Sequence, residues 1–286
     1  LNQHLESGEF IVQAYNSLGY HAVNLGGNDF LGGREFLQEL KKLAKFSFVS
    51  ANVVDSQTRT LMFAPYKILR VKNKRIGIIG ITSKPQYKAE GLDFNDPKAA
   101  LEKYLPELKK QTDYIIVLAA LNQKDETRLT EIGSDVDFML MSATFRYLRN
   151  LETVNGIHVA RVGFIGKYIG FINATIDQPN KPIEDISKVR FQLDYTTERL
   201  QSFANEAKGK PFEEFYKDRQ SVLDIIKSLQ QREQELKRQK SLVVNPIEFE
   251  LIPMDDAVAD EPAMRQKVNV FAERMKGLGY IIEPAH

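Results

Sequence analysis

The run Tyr114-Ile115-Ile116-Val117-Leu118-Ala119-Ala120-Leu121 constrains this chain more than any other segment. Eight successive residues without a charge have the length of a strand and fall far short of the roughly 20 apolar residues that cross a bilayer. A strand wetted on one face alternates apolar and polar residues, whereas a strand that is apolar throughout must be covered on both faces. Helices on both sides of a parallel sheet provide that cover, so strands and helices should alternate around this run.

They do. His21–Leu25 reads as a short strand ending at Gly26-Gly27, followed by a helix from about Arg34 to Ala44, and Phe46–Asn52 reads as another strand. Tyr66–Val71 and Arg75–Thr82 form a hairpin turned through Lys72-Asn73-Lys74. Asp96 is an N-cap and Pro97 the first residue of a helix to about Gln111. Beyond the central run come a helix over Lys124–Ile132, a buried strand over Val136–Met141, and strands Ile157–Val162 and Tyr168–Ile176, expected to pair with each other. The fold class is therefore α/β, a layered sandwich spanning residues 1–180.

From residue 181 the character changes. Ile183–Lys208 and Phe212–Lys240 are helical in composition and rich in Gln, Glu, Lys and Arg, with Gly209-Lys210-Pro211 as a breaker between them. Val189, Leu193, Leu200 and Phe203 form one stripe; Phe215, Val222, Ile225, Leu229 and Leu236 form another at helical spacing. Residues 181–286 are thus expected to be a helical hairpin or coiled-coil extension, closed by a short strand at Ile247–Leu251 and a helix from about Glu261 to Lys276. Such a hairpin presents an apolar stripe to another helix, so Phe215, Val222, Ile225, Leu229 and Leu236 are the expected protein-docking residues.

Charge and cysteine content exclude several functions. Thirty-nine Lys and Arg against 38 Asp and Glu leave a net charge of +1, so no nucleic-acid partner is expected. With no Cys, the chain makes no disulfide, thiol nucleophile, iron–sulfur ligand or covalent haem attachment. Its four His lie at positions 4, 21, 158 and 286, without the paired spacing of a zinc site. The sequence opens at Leu1 inside what reads as an amphipathic helix, with Phe10, Ile11, Ala14, Tyr15 and Leu18 on its stripe and Gly19 as its stop. The expectation is a processed chain cut from a longer precursor, or one whose first part is not represented here.

Five segments carry a family resemblance. Asn16-Ser17-Leu18-Gly19-Tyr20-His21-Ala22, Phe48-Val49-Ser50-Ala51-Asn52-Val53, Arg75–Thr82, Asp113–Leu118 and Gly166-Lys167-Tyr168-Ile169-Gly170 occur in that order. They resemble, in the same order, segments of the metallophosphoesterase domain of the 5′-nucleotidase family, over a little more than half the chain. The resemblance implies an α/β/β/α sandwich, present here in part because the family's first strands lie upstream of Leu1. It also implies hydrolysis of phosphate esters by two divalent cations, which lower the pKa of a bridging water and clamp the phosphoryl oxygens.

The chain departs from the family wherever a ligand is expected. Against the family's G-N-H-E-F-D-x-G loop stands Gly26-Gly27-Asn28-Asp29-Phe30-Leu31-Gly32-Gly33. Gly27 takes the place of the metal-binding Asn, Asn28 that of the catalytic His, and Leu31 that of its Asp partner. The S-H dipeptide becomes Ala119-Ala120, and the G-H-x-H motif leaves Ala143 and Phe145 at its two His positions. Methyl and phenyl groups donate no lone pair, so no metal cofactor is expected at Gly27, Ala120, Ala143 and Phe145. Asn28, Asp29, Asn122, Asp125 and Ser142 remain as polar residues, with turn and cap chemistry as their simplest role. The loop Gly27, Asn28, Asp29, Gly32, Gly33 is the candidate residual polar or anion site.

The resulting expectation is a non-catalytic, 5′-nucleotidase-like binding or assembly protein, placed by the resemblance in the periplasm or outside the cell. The alternative is an active metal-dependent phosphohydrolase using ligands outside these motifs. Two partners are expected: a precursor fragment or another protein that completes the sheet, and a multihaem cytochrome. The second rests on Asn245–Pro253 followed by Asp255-Asp256, which is similar to linkers that join such degenerate domains to cytochrome modules.

Overall fold

The computed structural model describes residues 2–142, 146–163, 166–178 and 181–280. In chain order the elements are α1 (Asn2–Leu18), β1 (Ala22–Val23), α2 (Gly33–Leu43), β2 (Ser47–Phe48), β3 (Val53–Asp55), β4 (Tyr66–Val71), β5 (Lys74–Thr82), β6 (Leu92–Phe94), α3 (Pro97–Gln111), β7 (Tyr114–Ala120), α4 (Gln123–Thr130), β8 (Phe138–Ser142), β9 (Glu152–Val154), β10 (Ile157–Arg161) and β11 (Tyr168–Ala174). After these come β12 (Ile183–Asp185), α5 (Ser187–Ala207), α6 (Phe212–Phe215), α7 (Gln220–Leu242), β13 (Asn245–Pro253) and α8 (Pro262–Gly277).

The apolar run becomes β7, third in a six-stranded sheet of order β4-β5-β7-β8-β10-β9. Strands β5, β7, β8 and β10 are mutually parallel, and β4 and β9 add antiparallel edges. Helix α3 covers one face. Asp96 accepts the Ala99 N–H at its start, and Leu101, Leu105 and Leu108 recur at i, i+4, i+7 with almost no exposure. Each such leucine contributes about 1.5–3 kcal/mol by leaving water. They join Ile79, Ile81, Val117, Leu129, Met139 and Val159 in one core.

A second core lies under the amino-terminal helices, where Val12, Phe30, Leu37, Leu40, Phe46, Phe48 and Phe63 pack together. On α1 the buried residue is Val12, while Ile11 and Leu18 of the expected stripe are exposed. Both choices fit a helical period, and the neighbours of α1 decide between them. Those neighbours include α8, whose Phe271 stacks on Phe10 at 4.2 Å.

The expected strand Phe46–Asn52 is interrupted. Ser47–Phe48 pair parallel to β1, and Val49 bridges to Ala64 instead. The Ser50 N–H then goes to Ala64 O and the Ala51 N–H to Gly80 O, which turns the chain into β3. The expected pairing of Ile157–Val162 with Tyr168–Ile176 is also corrected. Strand β10 lies between β8 and β9, and β11 belongs to a separate sheet of order β11-β13-β12. Strand β9 is the nearer partner in sequence, reached through a tight turn at Asn155-Gly156 with positive φ at both residues.

Contacts divide the chain into two compact units, Leu1–Ile169 with Ile252–His286, and Gly170–Leu251. The hairpin expected beyond residue 181 falls in the second unit, and the terminal helix α8 packs within the first. In the second unit α5 ends at Lys208 and Gly209, both left-handed, so the breaker acts as expected. Ala207, Tyr216 and Ile226 form a small core with Phe203, Phe212, Phe215 and Val222 around it. The stripe expected to face a partner is therefore spent largely inside the hairpin. Leu236 is fully buried, and Phe215, Val222 and Leu229 are half-buried. Ile225 is exposed, its expected place taken by Ile226, because Val222, Ile226 and Leu229 keep the helical period equally well. Asn245–Pro253, likened to a linker, is the middle strand of the three-stranded sheet, with Asn245 and Ile247 fully buried.

Candidate functional site at the strand ends

Of the sequence-assigned positions, the glycine loop and Ala120 lie where β1 and β7 end. A Cβ placed on Gly26 would stand 3.7 Å from the Ala120 methyl, so the glycine loop faces the end of β7 with room for a methyl between them. Residues Gly27–Gly32 form a short 3₁₀ helix of two turns before α2. Asp29 fastens its start, its Oδ2 accepting the Gly26 N–H at 2.7 Å, and the Tyr87 hydroxyl donates to Gly27 O. The glycines serve the same local structure. Of the four, only Gly33 has a positive φ, +68°, and a side chain there would meet Glu90 O at 3.0 Å. The N–H groups of Gly26, Asp29 and Gly33, which could have met an anion, are thus engaged within the protein.

Asn28 and Asp29 are exposed and Leu31 is half-buried. Asp29 keeps solvent access in a recess, yet the protein packed around its carboxyl raises its pKa above the usual range, outweighing the Gly26 N–H that favours the charge. Burial likewise lifts the hydroxyls of Tyr15 and Tyr87, and the Asp29 carboxylate adds to both. Tyr15 stacks on Tyr20 at 4.1 Å.

The remaining polar candidates act as caps and clasps. Asn122 Oδ1 accepts the Asp125 N–H at 2.9 Å and starts α4. Ser83 Oγ donates to Asp125 Oδ2 at 2.6 Å and accepts the Asn122 N–H at 3.0 Å. Ser142 lies at the exposed end of β8. Ala143 and Phe145 fall outside the described residues.

Sequence reasoning passed over the three residues that tie this end of the sheet together. Asn24 donates its side-chain amide to Ile81 O at 3.0 Å and to Leu118 O at 2.9 Å. Asn52 donates to Thr82 O at 2.6 Å and Asn95 O at 3.1 Å, and receives the Thr82 N–H at 3.0 Å. The Thr82 hydroxyl donates to Leu25 O at 2.6 Å. The available signal was a polar residue set in or at the end of each apolar run, as in Val23-Asn24-Leu25, Ala51-Asn52-Val53 and Ile81-Thr82.

These residues do not fit a two-metal centre. Gly27 and Ala120 carry no donor atom, and among the described residues no three His, Cys, Asp or Glu come together where they could hold a metal ion. What the site offers is a short glycine turn, one exposed amide at Asn28, one carboxyl of raised pKa at Asp29 and a tyrosine pair.

No family model matches the chain. Among curated proteins it is 26% identical over 223 residues to the uncharacterized metallophosphoesterase YunD of Bacillus subtilis, covering 72% of this chain and 48% of that protein. It is 33% identical over 122 residues to a 5′-nucleotidase of Vibrio cholerae, covering 40% of this chain and 22% of that protein. The chain thus spans about half or less of the length of these relatives. Among solved structures, the 5′-nucleotidase precursor of Thermus thermophilus superposes with a TM-score of 0.58 at 20% identity, covering 97% of this chain and 47% of that one. By sequence over part of its length, and by its α/β fold, the chain is homologous to the metallophosphoesterases and 5′-nucleotidases of the calcineurin-like phosphoesterase fold.

Proposed function

We propose that this chain is a non-catalytic relative of the 5′-nucleotidases, acting as a binding or assembly component outside the cytoplasm. The observation that carries the reading is the juxtaposition of Gly26 and Ala120. Where the resemblance calls for ligand atoms, a glycine loop faces a methyl group. The polar groups nearby support it, since Asn24, Asn52, Thr82, Ser83 and Asp125 spend their hydrogen bonds on strand ends and helix caps. Partners follow from the same reading. Among the described residues strand β1, two residues long and half-buried, pairs only with β2, and its other edge is where a strand from another polypeptide would add.

The test is an assay of the purified chain against AMP and p-nitrophenyl phosphate with added Mn²⁺ or Zn²⁺, beside elemental mass spectrometry of the native preparation. The expected result is no hydrolysis above the protein-free rate and no stoichiometric manganese or zinc. Hydrolysis that disappears in Asn28→Ala or Asp29→Ala would establish the phosphohydrolase instead. Iron in the native preparation, with a Soret band, would identify a cytochrome as the partner.

A further inference from the structure

Helix α5 has two faces of different fates. Val189, Leu193, Thr196, Leu200 and Phe203 are buried or half-buried. On the opposite side Lys188, Phe191, Tyr195 and Glu198 recur at spacings of 3, 4 and 3, the seam of a helix that packs on another helix. All four are exposed. Phe191 is 73% exposed and Tyr195 58%, which is costly surface for two aromatic side chains one turn apart.

The charges at the two ends of this seam are informative. Other charged groups on α5 have partners within the chain: Arg190 pairs with Asp194 and Glu248, and Arg199 lies over the Phe203 ring. Among the described residues neither Lys188 nor Glu198 makes an ion pair. Lys188 also sits in the first turn of α5, where the helix dipole disfavours a cation. Its position does nothing for its own helix.

A twofold axis at the level of Leu193 accounts for all four residues. Two copies of α5 laid antiparallel about that level bring Phe191 onto Tyr195 of the other copy, twice, and Lys188 opposite Glu198, twice. A parallel arrangement would set Lys188 against Lys188 and Glu198 against Glu198. The seam is therefore self-complementary in one orientation, as an isologous contact requires. We propose that this chain associates with a second copy of itself through the Lys188–Glu198 face of α5, packed antiparallel. The proposal is independent of whether the chain hydrolyses phosphate esters. Two aromatic residues per copy bury less than a standard interface, so the dimer is weak, with dissociation in the micromolar range or above.

Sedimentation equilibrium of the full chain over a range of concentrations tests it. The expected result is a monomer–dimer equilibrium, abolished by Phe191→Glu. Lys188→Glu and Glu198→Lys should each weaken association about tenfold, since each sets like charges opposite one another at both symmetric contacts. An equimolar mixture of the two single variants should associate again. One variant then carries a carboxylate at both ends of the seam and the other an ammonium at both, so every contact between unlike chains pairs opposite charges. Circular dichroism of each variant checks that these exposed substitutions leave the helices intact. A chain that stays monomeric at every concentration overturns the proposal, as does a dimer indifferent to these substitutions.

Discussion

Asn52 and Thr82 clasp each other through both backbone groups of the threonine. The Asn52 amide donates to Thr82 O at 2.6 Å, and the Thr82 N–H returns to Asn52 Oδ1 at 3.0 Å. Asn52 has no exposed surface, so water cannot replace either bond if the side chain is lost. Truncation to Ala leaves a buried N–H and two carbonyls without partners, because Asn95 O also depends on this amide. The expected cost of Asn52→Ala is about 2–4 kcal/mol. Asn52→Asp keeps only the acceptor and buries a charge, so it should be at least as damaging. Chemical denaturation of the two variants beside the parent chain checks both.

Gly80 makes a different contact at the same place. A methyl there would come within 2.1 Å of Val49 O and 2.6 Å of Asn24 Oδ1, both held by the fold. At Gly77, in the same strand, a methyl would meet the ends of the Leu108 and Thr112 side chains at 2.9 and 3.1 Å. Backbone does not yield as a side chain does, so Gly80→Ala should be the more destabilising of the two, by more than about 3 kcal/mol against about 1 for Gly77→Ala. Thermal unfolding of the two variants orders them. Equal losses would mean that β5 shifts to relieve the clash.

Much of the sheet was legible because its signals are local. The β7 run, the hairpin at Lys72-Asn73, the Asp96-Pro97 helix start and the Gly209 breaker each declare themselves within a few residues. What escaped was set by distant partners. Ile11 against Val12, and Ile225 against Ile226, are ties in helical period, broken only by what the helix lies on. The pairing of β10 with β8 depends on a register that no turn announces. The site divides in the same way. The residues standing where the resemblance expects ligands could be read one by one, whereas Asn24 finds Leu118 across 94 positions, and nothing near either residue announces the bond.

Among the described residues Arg161 is the most deeply buried charge in the ion pairs, its side chain 3% exposed. Its guanidinium grips both oxygens of Glu126 on α4 and reaches Glu152 on β9 at 3.2 Å. Glu126 takes the bidentate geometry, so its removal should leave the buried cation badly served. Glu126→Ala should cost about 3 kcal/mol and Glu152→Ala, at the more exposed contact, about 1 or less. Urea denaturation of the single and double variants measures both values and their coupling. A larger loss for Glu152→Ala would reverse the assignment of the main partner.

Asp55 ties the turn after β3 to α2. The N–H groups of Thr58 and Gln57 and the Arg34 guanidinium all donate to its carboxylate, and hold its pKa down at about 2. The unfolded chain binds this proton nearer pH ~3.9, so between those values the unfolded state takes up more protons than the folded one. The stabilisation is therefore complete above about pH 4 and is lost as pH falls toward 2. Asp55→Asn should lower the melting temperature at pH 7 and narrow its gap from the parent chain across that window. A gap that stays constant from pH 7 to pH 2 would show that the carboxylate charge contributes nothing there.

Ile225 and Ile226 put the register of the hairpin to a direct test. Ile226 is 3% exposed and sits in the small core with Tyr216 and Ala207, while Ile225 is 48% exposed on the outer side of α7. Truncation to Ala at a buried isoleucine removes its transfer free energy and opens a cavity, about 2–5 kcal/mol together. At the exposed neighbour Ala is also the better helix former, which offsets the little packing that is lost. Ile226→Ala should therefore destabilise strongly and Ile225→Ala by under about 0.5 kcal/mol. Leu236→Ala, at a fully buried position further along α7, belongs with Ile226. Amide hydrogen exchange of α5 and α7 in the three variants reads the effect where it arises. Equal exchange rates in Ile225→Ala and Ile226→Ala would mean that the helix can rotate to present either isoleucine.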